Sequence, residues 1–218
     1  RCKILVNIDH HPFSEDFGDH YFVDETACST GVLLYRLLKA CGQSITTEIA
    51  TNIYTTILSD TGSFRYSNAD REAFHVASEM IDLGLNAWDI ASHLYETQPR
   101  ERLILLGDAL QTMTISACGH FASISVSCEM MKRANAGSEH TDGFVNYPRS
   151  IEGVEVAIFF REISSGNYKV GFRSKGAVDV GALAREFGGG GHHNAAGATV
   201  QGSLEEVRSD VFRRLGIS

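Results

Sequence analysis

The sequence predicts an α/β protein of two domains, a parallel sheet with helices joined by a helix to a smaller α+β domain. After one short aliphatic strand, helical spacing of apolar residues dominates the first half of the chain. From about residue 120 the spacing changes to the two-residue period of strands. A chain of 218 residues with 43% apolar composition is long enough for two cores. We place the domains at residues 1–110 and 120–218.

The first half begins with a strand and continues with helices. Residues 3–9 form an aliphatic run closed by a polar turn, which is typical of a buried strand in a parallel sheet. The segments that follow begin with hydroxyl or amide caps, or with a proline, and several end at a glycine, as helices do. The predicted helices cover about residues 26 or 29 to 41, 46–58, 68–83, 86–96 and 99–117.

The second half contains most of the predicted strands. Residues 121–130 alternate apolar residues with serines, which predicts a half-buried strand with the serines exposed. Residues 154–163 and 168–174 predict a hairpin that turns between Ser164 and Asn167. A helix over 180–187, a strand over 195–200 and an amphipathic helix over 204–215 complete this half.

The composition narrows the class of function. A net charge of −8 and a pI near 5.6 argue against binding along a long duplex, so we expect any nucleic-acid substrate to be short. The apolar runs are far shorter than the roughly 20 residues of a membrane-spanning helix, and no secretory signal is visible. We therefore expect a cytoplasmic protein. Its five cysteines lack a CxxC pair, which favours free thiols over disulfides or structural zinc.

Asp9, His10 and His11 stand together where the first predicted strand ends. Carboxylate oxygens and imidazole nitrogens bind divalent cations, and a carboxylate beside a ligating histidine orients its ring. In parallel sheets, ligands bind at the carboxyl ends of the strands. A solvated turn fits the same three residues, so this motif does not decide the function alone.

The second polar motif, Ser59-Asp60-Thr61-Gly62, follows the second predicted helix. Glycine allows a sharp turn and the threonine can hold it by hydrogen bonding, which aims Asp60 outward as a metal ligand. An ordinary turn is the simpler interpretation of these four residues in isolation.

The third motif is a run of four glycines, 188–191, followed by His192. Consecutive backbone N–H groups without side chains can line an anion-binding concavity, and His192 adds a further donor. Arg173 on the preceding strand can bind a phosphate with its bidentate fork. A bare glycine run also fits a flexible spacer, although spacers inside compact domains are usually short.

Taken in this order, the three motifs resemble the DHH phosphoesterase superfamily. Residues 7–11 (NIDHH) match its DHH motif and residues 53–64 (IYTTILSDTGSF) its later aspartate motif. Residues 172–174 (FRS) and 188–197 (GGGGHHNAAG) look like the DHH-associated domain. The likeness spans nearly all of the chain. It is nearest to the nanoRNA exonucleases that also dephosphorylate pAp (3′-phosphoadenosine 5′-phosphate) and, in some members, cleave linearised or cyclic dinucleotides.

The resemblance implies two metal ions that activate water to hydrolyse a phosphate ester. Mixed histidine and carboxylate ligands favour manganese, and magnesium is the other candidate. His10 and Asp60 would bind one ion, with Asp9 in support, and His11 would contact the scissile phosphate. The second domain would hold the nucleotide through Arg173, Ser174, Gly189, Gly190, Gly191 and His192.

The sequence departs from the family pattern in one respect. Family members carry a DxDxxG strand motif and a further aspartate ahead of DHH, and this chain contains neither. We therefore expect an N-terminally incomplete form of the enzyme that is inactive or strongly impaired by itself. The sequence leaves open whether the protein forms a homodimer.

Two other functions fit the same motifs. A pyrophosphatase or exopolyphosphatase needs the same metals, but pyrophosphatases of this superfamily have a second domain rich in lysine and arginine, unlike residues 120–218. A non-catalytic nucleotide-binding module would keep the fold without turnover. A purely structural domain is disfavoured because the motif residues of all three sites are present together.

Overall fold

The computed structural model describes residues 3–11, 14 and 17–216, which form two compact units. The units divide between Thr97 and Gln98, in a segment that is not helical. The helix at 100–111 therefore belongs to the second unit. The sequence had placed it in the first domain, which was expected to end near residue 110. Packing explains this assignment, because Leu105, Leu106 and Ala109 are buried in a core with strand residues of the second unit.

The first unit contains a pair of parallel strands, β1 (Val6–Asp9) and β2 (His20–Val23), with Asp9 opposite Val23. The sequence predicted β1 and its parallel pairing but not β2, whose four mostly exposed residues give no periodic signal. The expected burial of β1 is wrong for the described residues. Within residues 3–9, Asn7 is buried, Ile8 and Asp9 are half-buried, and the other four residues are exposed. The two-stranded pair therefore has a face that other elements do not cover.

Four helices follow in this unit: α1 (Thr30–Ala40), α2 (Thr47–Asp60), α3 (Arg71–Asp82) and α4 (Ala87–Tyr95). Their existence and order are confirmed. The cap of α3 was predicted at residue 67 or 68, but the Asp70 side chain accepts from the Ala73 amide and so begins the helix three residues later. Helices α1 to α3 share one buried core, in which Val32, Ile57 and Met80 have no exposed surface.

The second unit is built on a six-stranded sheet with the order β3-β4-β5-β6-β8-β7. Strands β4 and β5 are parallel and the other neighbours are antiparallel. The predicted hairpin is confirmed as β5 and β6. The strands are β3 (Thr114–Ile115), β4 (Phe121–Val126), β5 (Val156–Ser164), β6 (Asn167–Ser174), β7 (Gly190–His192) and β8 (Ala195–Gln201).

Helices cover both faces of this sheet. Its helices are α5 (Arg100–Gln111), α6 (Cys128–Ala134), α7 (Asn146–Arg149), α8 (Val180–Glu186) and α9 (Leu204–Arg214), with a short 3-10 helix at Ser138–Thr141. Helices α8 and α9 pack on one face, and α5 and α6 contribute to the core on the other. Among the described residues, no helix is long and apolar enough to cross a membrane.

The strand predicted over residues 121–130 is shorter and more buried than expected. It ends at Val126 because the Ser127 hydroxyl accepts from the Met130 amide and begins α6. Ser123 and Ser125 are buried rather than exposed, since β4 lies inside a sheet with both faces covered. The cysteines of the described part, at 28, 41, 118 and 128, are free thiols as predicted, and Cys2 lies outside the described residues.

Candidate active site

Asp9 organises the histidine pair at the end of β1. One of its oxygens, Oδ1, accepts from the backbone amides of His10 at 2.8 Å and His11 at 3.1 Å, and from the His11 ring Nδ1 at 2.6 Å. The bond from the His11 ring, followed by those from the amides, holds the Asp9 pKa well below its ordinary value. Asp9 is thus an ionised anchor that fixes the direction of His11.

His10 is the better buried of the two histidines, with 16% of its side chain exposed. Its Nδ1 lies 3.2 Å from the carbonyl oxygen of Ala27. Because a carbonyl only accepts, Nδ1 carries a proton, and Nε2 is the ring nitrogen that is left for a cation. Nε2 lies 3.6 Å from Asp60 Oδ2.

The Ser59–Gly62 motif forms the turn that ends α2, as the sequence predicted. The Thr61 hydroxyl accepts from the Phe64 amide at 3.0 Å and donates to the Ile57 carbonyl at 2.6 Å. The backbone then has positive φ angles at Gly62, Ser63 and Phe64. Gly62 is required there, because the Tyr66 ring occupies the space of a Cβ. Asp60 is held at the helix end by this turn.

Asn68 is a supporting residue that the sequence did not single out. Its side-chain amide donates to the Asp60 carbonyl at 3.1 Å and to the Cys28 carbonyl at 3.3 Å. It therefore ties the turn after α2 to the segment before α1, next to the Ala27 carbonyl that orients His10. Asparagine in a polar loop has no periodicity or motif that would have revealed this contact.

Asp60 carries a charge that its surroundings disfavour. Burial raises its pKa, and the nearby rings of His10 and His11 lower it by less. Its position at the carboxyl end of α2 adds to the cost, because the helix dipole is negative there. A cation between Asp60 and His10 would relieve both effects.

The separation of these two donors fits one divalent ion. Metal–ligand bonds of about 2.1 Å to nitrogen and oxygen place two ligands of one ion roughly 3 to 3.6 Å apart, and His10 and Asp60 are 3.6 Å apart. Within residues 3–11, 14 and 17–216, however, no group of three or more histidine, cysteine, aspartate or glutamate side chains is arranged to hold a metal ion. Of the predicted metal site, the described chain brings together the His10–Asp60 pair.

The residues predicted to bind substrate lie in the second unit, around β6, β7 and β8. Arg173 on β6 is opposite Ala195 on β8, which is opposite His192 on β7. Residues paired in this way point to the same face of a sheet, so Arg173 and His192 flank Ala195 on one face. One Arg173 nitrogen, Nη1, donates to the Phe172 carbonyl at 2.9 Å, which restrains the guanidinium near the strand.

Ser174 lies behind this face rather than on it. Its side chain is fully buried, and its hydroxyl donates to the Asn194 side-chain oxygen at 3.0 Å. Its backbone amide donates to the Asn194 carbonyl, also at 3.0 Å. These contacts make Ser174 a residue that positions the β7–β8 turn, not one that a ligand can reach in this conformation.

The glycine run joins the end of α8 to β7, and its last two glycines belong to that strand. Gly188 ends α8 with a φ of 71°, and the Gly189 amide closes the helix on the Ala184 carbonyl. Gly190 and Gly191 then begin β7, the edge strand paired with β8. The expected concavity of consecutive N–H groups is therefore wrong, because alternate groups of an edge strand are used in the ladder.

The four glycines differ in why the fold needs them. A Cβ on Gly189 or Gly191 would collide with the backbone of β8; on Gly191 it would lie 2.5 Å from the Ala195 oxygen. Gly188 is needed for its positive φ. Gly190 is exposed, and a Cβ there would meet nothing within 4 Å. The fold therefore leaves open space where a Gly190 side chain would stand.

A cavity of about 490 Å³ continues from Arg173 across the same face of the sheet. Its other basic residues, Arg161 and Lys169, were not predicted, because single cations on alternating strands look like ordinary surface positions. One wall is the segment 138–145. Arg102 of α5 holds this wall by donating to the carbonyls of His140 and Asp142.

Comparison with known proteins assigns a domain family to the second unit. Residues 122–215 match the DHHA1 domain. The bifunctional oligoribonuclease and PAP phosphatase NrnA of Thermus thermophilus is 35% identical over 96% of this chain and 65% of its own length. The protein of the same name from Bacillus subtilis is 32% identical over 90% of this chain and 62% of its own length. The chain thus spans slightly less than two thirds of these relatives.

A solved structure agrees over both units. An exopolyphosphatase-related protein from Bacteroides fragilis superposes with a TM-score of 0.89 at 35% identity, covering 96% of this chain and 62% of that one.

Proposed function

We propose that this chain, whose residues 122–215 match the DHHA1 domain, is a DHH phosphoesterase that serves the hydrolysis of phosphate esters on short oligoribonucleotides and on pAp. The NrnA relatives named for these two activities support the substrate class. The observation that carries the proposal is the 3.6 Å separation of His10 Nε2 and the Asp60 carboxylate, at the end of a parallel strand. We propose the cytoplasm as its compartment, where such substrates arise.

In this proposal His10 and Asp60 bind one divalent cation, with manganese favoured over magnesium. Such a cation supplies Lewis-acid chemistry for attack on phosphorus and for the charge that develops on the phosphoryl oxygens. Asp9 keeps His11 directed toward the scissile phosphate through the 2.6 Å bond to Nδ1. Since Nδ1–H is used in that bond, Nε2 is the nitrogen of His11 that contacts the phosphate in this proposal.

The second unit binds the nucleotide in this proposal. Arg173 and His192 contact a phosphate group from the two strands on either side of β8, and Gly190 lets the ligand approach the backbone. Gly189 and Gly191 contribute by keeping β7 close to β8, and Ser174 by holding the turn between them. The substrate is therefore short, because a few placed cations replace the broad basic face that the net charge of −8 excludes.

Two other functions stay as alternatives. A pyrophosphatase or exopolyphosphatase would use the same cation, and the similar Bacteroides fragilis protein is exopolyphosphatase-related by name. A non-catalytic nucleotide-binding module would use the second unit alone. Since the described residues supply two metal ligands and not three, we also propose that these 218 residues by themselves bind nucleotide but turn it over weakly.

An activity panel separates these possibilities. The purified chain is incubated with manganese and, in parallel, with a diribonucleotide, pAp and inorganic pyrophosphate, and phosphate or nucleotide release is measured. We expect weak hydrolysis of the diribonucleotide and of pAp that stops in EDTA, and none of pyrophosphate. Preferred hydrolysis of pyrophosphate would favour the first alternative. Nucleotide binding without any turnover would favour the second, and rapid turnover would refute the weak activity proposed for these residues.

A further inference from the structure

Three rows of residues cross the sheet face that carries Arg173. The strand register aligns Arg173, Ala195 and His192 in the first row, and Gly171, Gly197 and Gly190 in the second. The third row places Arg161 of β5 opposite Lys169 of β6. Because successive rows are two residues apart along each strand, all three lie on one face. The glycine row thus runs between two rows of positive side chains.

Arg161 and Lys169 form an unusual pair for a sheet. They stand directly opposite each other on antiparallel strands, where like charges are destabilising. Arg161 is half-buried, and in the part of the chain that the structure describes no carboxylate forms an ion pair with either residue. Both line the cavity beside Arg173. A bound anion between them would remove the repulsion.

The glycine row keeps the floor of this region free of side chains. A Cβ on Gly171 or on Gly190 would meet no atom within 4 Å, so the fold itself does not require glycine at either position. Lys169 and Arg173 flank Gly171 with Cα atoms about 13 Å apart, at a rise of about 3.3 Å per residue. Long side chains reaching inward from both rows leave a space of the order of one nucleoside between two phosphate groups.

The opposite wall of the cavity carries Glu139 and Asp142. Carboxylates there repel a bare chain of phosphates but accept hydrogen bonds from ribose hydroxyls and base amino groups. The mixture of a basic floor and an acidic wall therefore matches a nucleotide better than inorganic polyphosphate.

We propose that this cavity is a second nucleotide subsite, in which Arg161 and Lys169 bind the phosphate of the nucleotide next to the one held by Arg173 and His192. The inference rests on the proposed function, because it extends the same substrate-binding face. If it is correct, the affinity of the chain for an oligonucleotide depends on how many nucleotides, and therefore how many phosphate groups, the ligand contains.

Binding of 5′-phosphorylated oligoadenylates of one, two and three nucleotides tests the subsite. Titrations in EDTA prevent hydrolysis and remove any contribution from metal-bound phosphate. The variants are Lys169→Gln, whose exposed side chain the fold does not need, and Arg161→Gln. Arg213→Gln on α9 is the matched control, since it removes one positive charge from an exposed position on the helix packed against the other face. Thermal unfolding checks that each variant is folded.

We expect the affinity of the wild-type chain to rise from the mononucleotide to the longer ligands. Each of the two cavity variants should weaken binding of the longer ligands about tenfold and of the mononucleotide less than about twofold. Arg213→Gln should change neither. If the wild type binds no oligoadenylate, the proposed function fails and the subsite with it. If it binds all three equally, or if Lys169→Gln weakens all three equally, only the subsite is refuted. Binding of inorganic tripolyphosphate as tight as that of the trinucleotide would also refute it.

Discussion

Two aspartates of the first unit have pKa values shifted in opposite directions, and each shift reports a different use of the carboxylate. Burial raises the pKa of Asp60. In the described structure the His10 ring lies beside the Asp60 carboxylate, and no group donates a hydrogen bond to that carboxylate. Asp24 is instead held by the Thr26 hydroxyl at 2.6 Å and by Arg36, also at 2.6 Å. These bonds lower its pKa to about 2. The partners of Asp24 favour its ionised form, whereas burial disfavours the ionised form of Asp60.

Replacing Asp60 by asparagine should separate metal binding from stability. A raised pKa means that the folded chain holds the proton more tightly, so ionisation of Asp60 lowers stability as the pH rises above about 4. Asp60→Asn should therefore unfold at the same or a higher temperature than the wild type at pH 7 in EDTA. Its affinity for manganese should fall about tenfold or more.

The matched control for this variant is Asp82→Asn, at the exposed end of α3. Manganese titration and thermal unfolding are measured on both proteins. A lower unfolding temperature for Asp60→Asn in EDTA, or an unchanged manganese affinity, would contradict the role given to Asp60.

Arg36 also donates from Nε to the Glu72 carboxylate at 2.8 Å, and this Asp24–Arg36–Glu72 network predicts the opposite dependence on pH. Because the Asp24 pKa is lowered from 3.8 to about 2, its contribution is complete above about pH 4 and disappears as the pH falls through about 2. Asp24→Asn should lower the free energy of unfolding by about 1–2 kcal/mol at pH 7. Chemical denaturation from pH 7 to pH 2 should show the two proteins converging, and a difference that persists at pH 2 would count against the network.

At the scale of elements, strand β7 shows how one glycine run serves both fold and ligand. Gly191 has a φ of 140° and a Cβ there would lie 2.5 Å from the Ala195 oxygen, whereas Gly190 meets neither constraint. Gly191→Ala should destabilise the chain by about 1–3 kcal/mol. Gly190→Ala should keep the unfolding temperature and weaken nucleotide binding, because the methyl group occupies space that the ligand uses.

Thermal unfolding and nucleotide titration of this pair of variants distinguish the two roles. Equal loss of stability in both would show that the whole run is structural. Unchanged nucleotide affinity in Gly190→Ala would remove this strand from the binding site.

The sequence predicted the long helices, the β5–β6 hairpin and the turn after α2 because each has a local cause. Helix caps, helical periodicity and the Thr61–Gly62 pair can each be recognised from a few consecutive residues. Strands β2, β3 and β7 were missed because all three are short and depend on partner strands. The helix predicted over 99–117 was therefore wrong beyond Gln111, where β3 follows at Thr114–Ile115. Burial of Ser123 and Ser125 was missed for the same kind of reason, since it is set by the layers that cover β4 and not by β4 itself.

At the scale of the whole molecule, the candidate chemistry is divided between the two units. The motifs could be found in the sequence because adjacent aspartate and histidine residues and a run of glycines stand out from the rest of the chain. Arg161, Lys169 and Asn68 could not, because their roles depend on strand register and on carbonyls distant in the chain. An overall acidic protein can thus keep a basic face that composition hides.

The central claim is that metal and nucleotide bind through separate residues, His10 with Asp60 in the first unit and Arg173 with its neighbours in the second. The most direct test titrates manganese, and separately 5′-phosphorylated diadenylate in EDTA, into the wild type, His10→Ala and Arg173→Gln. We predict that His10→Ala loses about tenfold or more in manganese affinity and keeps nucleotide affinity. Arg173→Gln should lose about tenfold in nucleotide affinity and keep manganese binding. Nucleotide affinity in EDTA that falls equally in both variants, or that is unchanged in Arg173→Gln, would contradict the account.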